Sequence, residues 1–178
     1  MVSKIGNVFE DVNSIERYKE AQKAFDSLTT GGVNGENIKG YVASSAVSTL
    51  ESTGKDIDKI YADVLNFKNI VSSIGNTNDP SGYNDENRQK LEHAYNLYNT
   101  LSSSAKQLVG SHKNILDDRK YWYDQNKIIE DRKKKEEEAK KQLTALQTRI
   151  ANLSETAEAS KEKALVVMMN EGSLSAFG

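Results

Sequence analysis

The chain has 178 residues, a formal net charge of −2, no cysteine and a mean hydropathy of −0.68. The absence of cysteine excludes disulfide bonds, thiol catalysis and Cys-ligated zinc, and the small net charge provides no overall field for nucleic acid or anionic membrane. Hydrophobic residues make up only 37% of the chain, which suits an elongated helical bundle better than a compact globule, because each helix then buries one stripe.

The first part of the chain, residues 1–84, is expected to contain two helices. We expect them at 3–28 and 41–74, joined by a glycine-rich loop at 29–40 and followed by a loop at 75–84 that is crowded with Gly, Asn, Asp, Pro and Ser. Gly54 is a candidate kink or break in the second helix. Apolar residues at helical spacing mark both helices: Ile5, Val8, Val12 and Ile15 in the first, and Ile57, Ile60, Val64, Phe67, Val71 and Ile74 in the second.

A longer apolar pattern follows between Leu91 and Val167. Steps of three or four residues meet an apolar side chain at most positions, a spacing that predicts a helix with a coiled-coil stripe. The same three- and four-residue spacing continues across Gly110. This continuity favours one continuous coiled-coil helix over 85–170, followed by a flexible tail at 171–178. A glycine can also end a helix, so a hairpin bent near Gly110 is the alternative. The predicted fold is therefore all-α: an elongated helical bundle or coiled coil with one very long C-terminal helix.

A charged block interrupts the apolar pattern at 132–141, where the count falls on Lys133, Glu136 and Lys140. Its sequence favours a helix, and the pairs Glu136–Lys140 and Glu137–Lys141 have the order that stabilises helices. We interpret the block as a solvated helical bridge. The alternative is an electrostatic docking site or a hinge for a partner.

The inventory of reactive groups is small. The two histidines, His93 and His112, lie in no metal-binding motif, and we expect His112 to be a register-fixing polar residue on the stripe. The sequence contains no phosphate-binding glycine loop and no recognisable nucleophile–base pair, and the lysine cluster of the charged block is interrupted by three glutamates and contains no aromatic residue. We therefore expect no catalytic, cofactor-binding or metal site, no small-molecule substrate and no nucleic-acid partner.

Candidate interface residues lie on the predicted long helix. Adjacent aromatic residues cannot all face one core, because successive side chains diverge by about 100° around a helix. Trp122 falls on the apolar stripe, so Tyr121 and Tyr123 are expected to flank it or to face outward. A fold-back at Gly110 would bring these aromatics close to Tyr95 and Tyr98. The candidate protein-contact residues are Tyr121, Trp122, Tyr123, Ile129, Leu143, Leu146, Ile150, Leu153 and Val167.

These observations favour a non-catalytic structural or assembly protein. Two short helices cannot cover the long one, so its apolar end is expected to bind other protein subunits, in a homo-oligomer or a larger hetero-complex. Cysteine-free chains rich in Ser, Asn, Lys and Ala occur among phage virion proteins and bacterial secretion or pilus components, and this compositional association suggests a subunit of that type.

The alternative is a secreted helical effector or membrane-active protein that opens a helical hairpin. A stable membrane span is not expected, because the longest apolar run, residues 164–169, is far too short to cross a bilayer. The first residues, 1–6, lack the apolar core of a secretory signal, so we expect no signal peptide in the chain as written.

Overall fold

The computed structural model describes residues 1–28 and 38–176, with side chains up to Gly172. The described residues contain no strand, and the predicted all-α class with one long C-terminal helix is confirmed. The chain divides into two compact units, Met1–Lys127 and Ile128–Gly178. The helices are α1 (Asn13–Ser27), α2 (Ser44–Ser73), α3 (Asp85–Thr100), α4 (Ser103–Leu108) and α5 (His112–Ala176), with short 3-10 helices at Val2–Lys4, Ile38–Tyr41 and Pro80–Gly82.

The core of the first unit is built around α2. Helices α1, α3 and α4 all contact it. Its predicted apolar stripe is buried from Leu50 to the C-terminal end, and the ring centroid of Phe67 lies 5.6 Å from that of Tyr98 on α3. Gly54 does not break the helix, since α2 is continuous across it. The stripe spaced by three and four residues thus correctly identified the face on which the other helices pack.

The first predicted helix begins later than expected. Residues 3–12 are not α-helical: Gly6 has a positive φ of 83°, and α1 starts at Asn13. Polar side chains hold this segment in turns, as the Asn7 side chain accepts a hydrogen bond from the backbone N–H of Phe9 and Arg17 donates to the carbonyl oxygen of Ile5. Ile5 nevertheless reaches the core, so the apolar pattern predicted burial correctly but not the helix. Residues 29–37 of the predicted glycine-rich loop lie outside the described residues.

The prediction of one continuous helix over 85–170 is wrong. Leu101 adopts an extended conformation, and Ser102 starts α4 by accepting a hydrogen bond from the backbone N–H of Ala105. Gly110, with a φ of +57°, follows α4, and the chain turns back as the hairpin alternative predicted. The apolar spacing survives the first break, because Leu91, Leu101 and Ala105 still face one core.

The polar loop between α2 and α3 is fixed by two buried asparagines. Asn126 on α5 donates to the carbonyl oxygens of Thr77 and Asp79, at 2.6 and 3.3 Å, while the fully buried Thr77 hydroxyl donates to the carbonyl of Arg119. Asn87 on α3 accepts from the N–H of Gly75 and donates to the carbonyl of Gly82. These bonds satisfy backbone groups that the tight loop cannot pair internally.

The second unit consists of the C-terminal part of α5. All side chains described from 131 to 172 are exposed. The helix extends to Ala176, so the boundary predicted between helix and flexible tail at residue 170 is not where α5 ends. Residues 177 and 178 of the predicted tail lie outside the described residues.

Candidate protein interface on the C-terminal helix

The aromatic triplet near the start of α5 is divided between core and surface. Tyr123 is 8% exposed, with its ring centroid 5.0 Å from that of Tyr83, whereas Trp122 is 38% and Tyr121 55% exposed. The expectation that Trp122 faces inward while Tyr123 flanks it is therefore wrong. The buried face of α5 in this unit includes Leu116 and Tyr123, each one residue beyond a position of the predicted stripe (Ile115 and Trp122), whereas Asn126 lies on that stripe. Tyr121 and Trp122 remain available for contacts, and Tyr123 does not.

The hairpin brings α3 against the start of α5, as the fold-back alternative predicted. The hydroxyl of Tyr95 donates to Asp117 at 2.7 Å, and the Lys113 ammonium donates to the same carboxylate at 2.8 Å. Burial, followed by the hydrogen bond to Asp117, raises the pKa of Tyr95. Burial also raises the pKa of Asp117, but the hydrogen bonds from Lys113 and Tyr95 outweigh it and leave the pKa below its ordinary value. The hydrogen bond between Tyr95 and Asp117 thus links α3 to α5.

A cavity of about 460 Å³ opens beside this hydrogen bond, and three tyrosines, Tyr83, Tyr95 and Tyr123, contribute to its lining. Two of its cations are neutralised locally, since Arg88 pairs with Asp85 and Glu92, and Lys120 pairs with Asp124. The cavity therefore presents aromatic surface together with charges, of which those of Arg88 and Lys120 are paired.

Neither a metal-binding cluster nor a membrane-spanning helix is present among the described residues. Among them, no group of three or more His, Asp or Glu side chains is arranged to hold a metal ion. His93 is exposed. His112 begins α5 directly after the turn, so the prediction that it lies on a continuous coiled-coil stripe is wrong. Within the same residues, no helix combines the length and the hydropathy needed to cross a bilayer.

The remaining candidate residues form an exposed stripe on the second unit. Leu143, Leu146, Ile150 and Leu153 are between 51% and 69% exposed, and Ile129 and Val167 are also exposed. Side chains three and four residues apart lie on one face of a helix. The structure therefore leaves six of the nine predicted contact residues exposed, and the four from Leu143 to Leu153 share one side of the helix.

The register of this face differs in part from the predicted one. The predicted stripe crossed the charged block at Lys133, Glu136 and Lys140, but the steps from Lys140 to Leu143 and on to Leu146 are then both of three residues. Steps that alternate strictly between three and four residues are obtained when the stripe crosses the block at Arg132, Glu136 and Ala139. The C-terminal stripe, as we define it, comprises Ile129, Arg132, Glu136, Ala139, Leu143, Leu146, Ile150, Leu153, Ala157, Ser160, Ala164 and Val167.

The sequence reading missed the residues that flank this stripe. In heptad notation its members occupy positions a and d, and six cations occupy the adjoining positions e and g. No acidic residue between 128 and 172 occupies those positions. This distribution of charge is apparent only when the heptad positions are counted from Ile129. The flanking cations are Lys133, Lys135, Lys140, Arg149, Lys161 and Lys163.

Comparison with known proteins identified no match for the chain. No protein-family model matches the chain, and neither does a curated protein or a solved structure.

Proposed function

We propose that the protein is a non-catalytic structural or assembly subunit that binds other protein subunits through a coiled coil formed by its C-terminal stripe. The observation that carries this proposal is the exposure of Leu143, Leu146, Ile150 and Leu153 on one helix face. Fully burying a leucine or isoleucine side chain stabilises by about 1.5–3 kcal/mol, so a partner helix covering this face would gain from each residue.

The contrast between the two units supports an assembly role. In the first unit, Phe67, Leu116 and other apolar residues are buried in a core shared by several helices. In the second unit, the same kind of side chain, repeated at coiled-coil spacing, remains exposed. A repeat confined to one face is the pattern that a neighbouring helix covers by inserting side chains between successive turns. Tyr121 and Trp122 provide a further exposed aromatic contact in the first unit.

The kind of assembly is proposed on composition alone. A cysteine-free, helical chain rich in Ser, Asn, Lys and Ala fits a phage virion or a bacterial secretion or pilus component. The alternative, a membrane-active effector that opens a hairpin, receives less support. One of its two candidate segments, residues 64–74, contributes Val64, Phe67 and Val71 to the core of the first unit, so inserting it would require that core to open, and the other, residues 164–169, is too short to span a bilayer. Leakage of dye from vesicles would distinguish this alternative.

The proposal is tested by the native mass of the protein in the cells that produce it. The stripe variant carries Leu146→Gln and Ile150→Gln, and the control carries Thr148→Gln and Ala151→Gln on the opposite face of the same turns. Glutamine favours helix, so neither variant should lose α5. We expect wild type and control to elute in a complex and the stripe variant to elute as the free chain. Elution of the stripe variant with the wild type would contradict the proposal.

A further inference from the structure

Charge is sorted around the C-terminal stripe. Between residues 128 and 172 there are nine basic and nine acidic residues, and six of the nine basic ones lie at the flanking positions e and g. The acidic residues lie elsewhere: on the outer face, such as Glu137 and Glu155, or within the stripe, such as Glu136. A helix that is nearly neutral overall therefore presents an apolar face bordered on both sides by positive charge.

Most of these cations have no carboxylate partner among the described residues. Lys161 lies 3.5 Å from Glu158, and both side chains are more than 70% exposed. The other five flanking cations have no carboxylate within 4.0 Å in the described part of the chain. The expected pairs Glu136–Lys140 and Glu137–Lys141 are likewise not formed at that distance in the same residues. The flanking charges are thus free to pair with an incoming helix.

A second copy of the chain is a poor match for this surface. In a parallel, in-register pair, Lys135 would face Lys140 of the second copy, because position g lies opposite the following position e. The antiparallel alignment that brings the four large leucine and isoleucine residues together places Arg149 against its own symmetry mate and Lys135 against Lys163. Like charges meet in both arrangements, and such contacts disfavour pairing.

We propose that the C-terminal stripe binds an amphipathic helix of another protein whose apolar stripe is bordered by acidic residues. This inference rests on the proposed assembly function and names the partner that its interface fits. Acidic side chains at the partner's flanking positions would pair with Lys133, Lys140, Arg149 and the remaining flanking cations. Each exposed pair contributes little alone, but the arrangement determines which partner is accepted and makes binding sensitive to salt.

The width of the stripe favours a helix over an anionic membrane. A helix lying on a membrane needs a broad apolar face, whereas from Ile129 to Ala164 the large apolar side chains keep to two positions in each heptad, and the fully apolar run at residues 164–169 is only six residues long. It also contains Arg132, Glu136 and Ser160, which a lipid surface would have to accommodate among the acyl chains. Against a partner helix, such residues can fix the register instead.

The test uses the full chain and two synthetic helical peptides as probes. Both peptides carry leucine at positions a and d over five heptads; one has glutamate at every e and g position, and the other has lysine. Binding is measured by fluorescence anisotropy in 0.1 M and 1 M salt. We expect the glutamate peptide to bind at least about tenfold more tightly in 0.1 M salt, and this preference to shrink in 1 M salt because screening shortens the reach of charges.

Matched charge reversals locate the effect. Lys140→Glu with Arg149→Glu changes the flanking positions, and Lys134→Glu with Lys141→Glu makes the same change in net charge on the outer face. The flanking variant should lose most of the preference for the glutamate peptide, whereas the outer-face variant should keep it. Circular dichroism of both variants checks that α5 is retained.

Four outcomes would overturn the inference: equal binding of both peptides, binding of neither, equal effects of the two reversals, and unchanged binding to the stripe variant with Leu146→Gln and Ile150→Gln. Tight binding to vesicles of phosphatidylcholine and phosphatidylserine, with no preference between the peptides, would point to a membrane instead. The native complex described above is a separate readout. A stripe-dependent native complex together with equal peptide binding would refute the acidic partner while leaving the assembly function in place.

Discussion

Asn126 provides a sensitive test of how the first unit is held together. Its side-chain amide is buried and donates to two carbonyl oxygens of the loop between α2 and α3, those of Thr77 and Asp79. Replacing it with aspartate keeps the size of the side chain but removes both donors. The substitution also places a negatively charged oxygen against two carbonyl oxygens.

The expected cost follows from those two bonds. Leaving a buried acceptor without a partner costs about 1–3 kcal/mol, and the bond to Asp79 is longer and only partly buried, so its contribution is the smaller one. We therefore expect Asn126→Asp to lower the free energy of unfolding of the first unit by about 2–4 kcal/mol at neutral pH. Asn126→Ala, which loses the bonds without adding the charge, should cost less than Asn126→Asp.

The measurement is urea unfolding of the full chain, followed by near-ultraviolet circular dichroism of the packed tyrosines. Asn114→Asp is the matched control, because Asn114 is exposed on the same helix. A loss below about 0.5 kcal/mol for Asn126→Asp, or an equal loss in the control, would refute the reasoning, since surface substitutions usually stay within that limit.

Three further predictions concern the same unit. Gly82→Ala should prevent stable folding or cost more than about 3 kcal/mol, because an added Cβ would overlap the backbone of residues 76–77; unfolding midpoints measure this, and a midpoint equal to wild type would contradict it. Tyr123→Ala should lower the free energy of unfolding by about 3–5 kcal/mol and Trp122→Ala by about 1 kcal/mol or less, as measured by urea unfolding. A larger loss for Trp122→Ala than for Tyr123→Ala would instead support the register that the sequence predicted, with Trp122 facing inward. Burial, followed by the hydrogen bond to Asp117, raises the pKa of Tyr95, so the stability that Tyr95 contributes is present below pH 10 and is lost at higher pH. The free energy of unfolding should therefore fall less steeply between pH 8 and pH 11 in Tyr95→Phe than in the wild type, and identical slopes would contradict this.

Apolar periodicity predicted burial more reliably than it predicted helix boundaries. Residues such as Ile5 and Leu101 are buried as their spacing indicated, although neither lies in the interior of an α-helix. Periodicity reports the face that a residue shares with its neighbours, and a turn can preserve that face. The Ser-rich start of α4 and the positive φ of Gly110 depend on local hydrogen bonds and backbone conformation, to which periodicity does not respond.

The exposure of the candidate interface residues was predicted only in part, for the same reason. Counting by three and four found Leu143 to Leu153, which are exposed on one face. The count failed at Trp122 and Tyr123, because the inward face of α5 there depends on contacts with Tyr83 and the 75–84 loop. Those contacts join residues more than thirty positions apart, and local spacing carries no information about them. The flanking cations were present in the sequence but acquire meaning only once the register of the stripe is known.

The central claim is that one face of the second unit contacts another protein. The most direct measurement places a photoreactive amino acid at Leu146, within the C-terminal stripe, or at Thr148, on the opposite face, and irradiates the producing cells. Both positions are exposed in the chain. We expect a discrete crosslinked product from position 146 and none from position 148. Crosslinking from both positions alike, or from neither, would contradict the account.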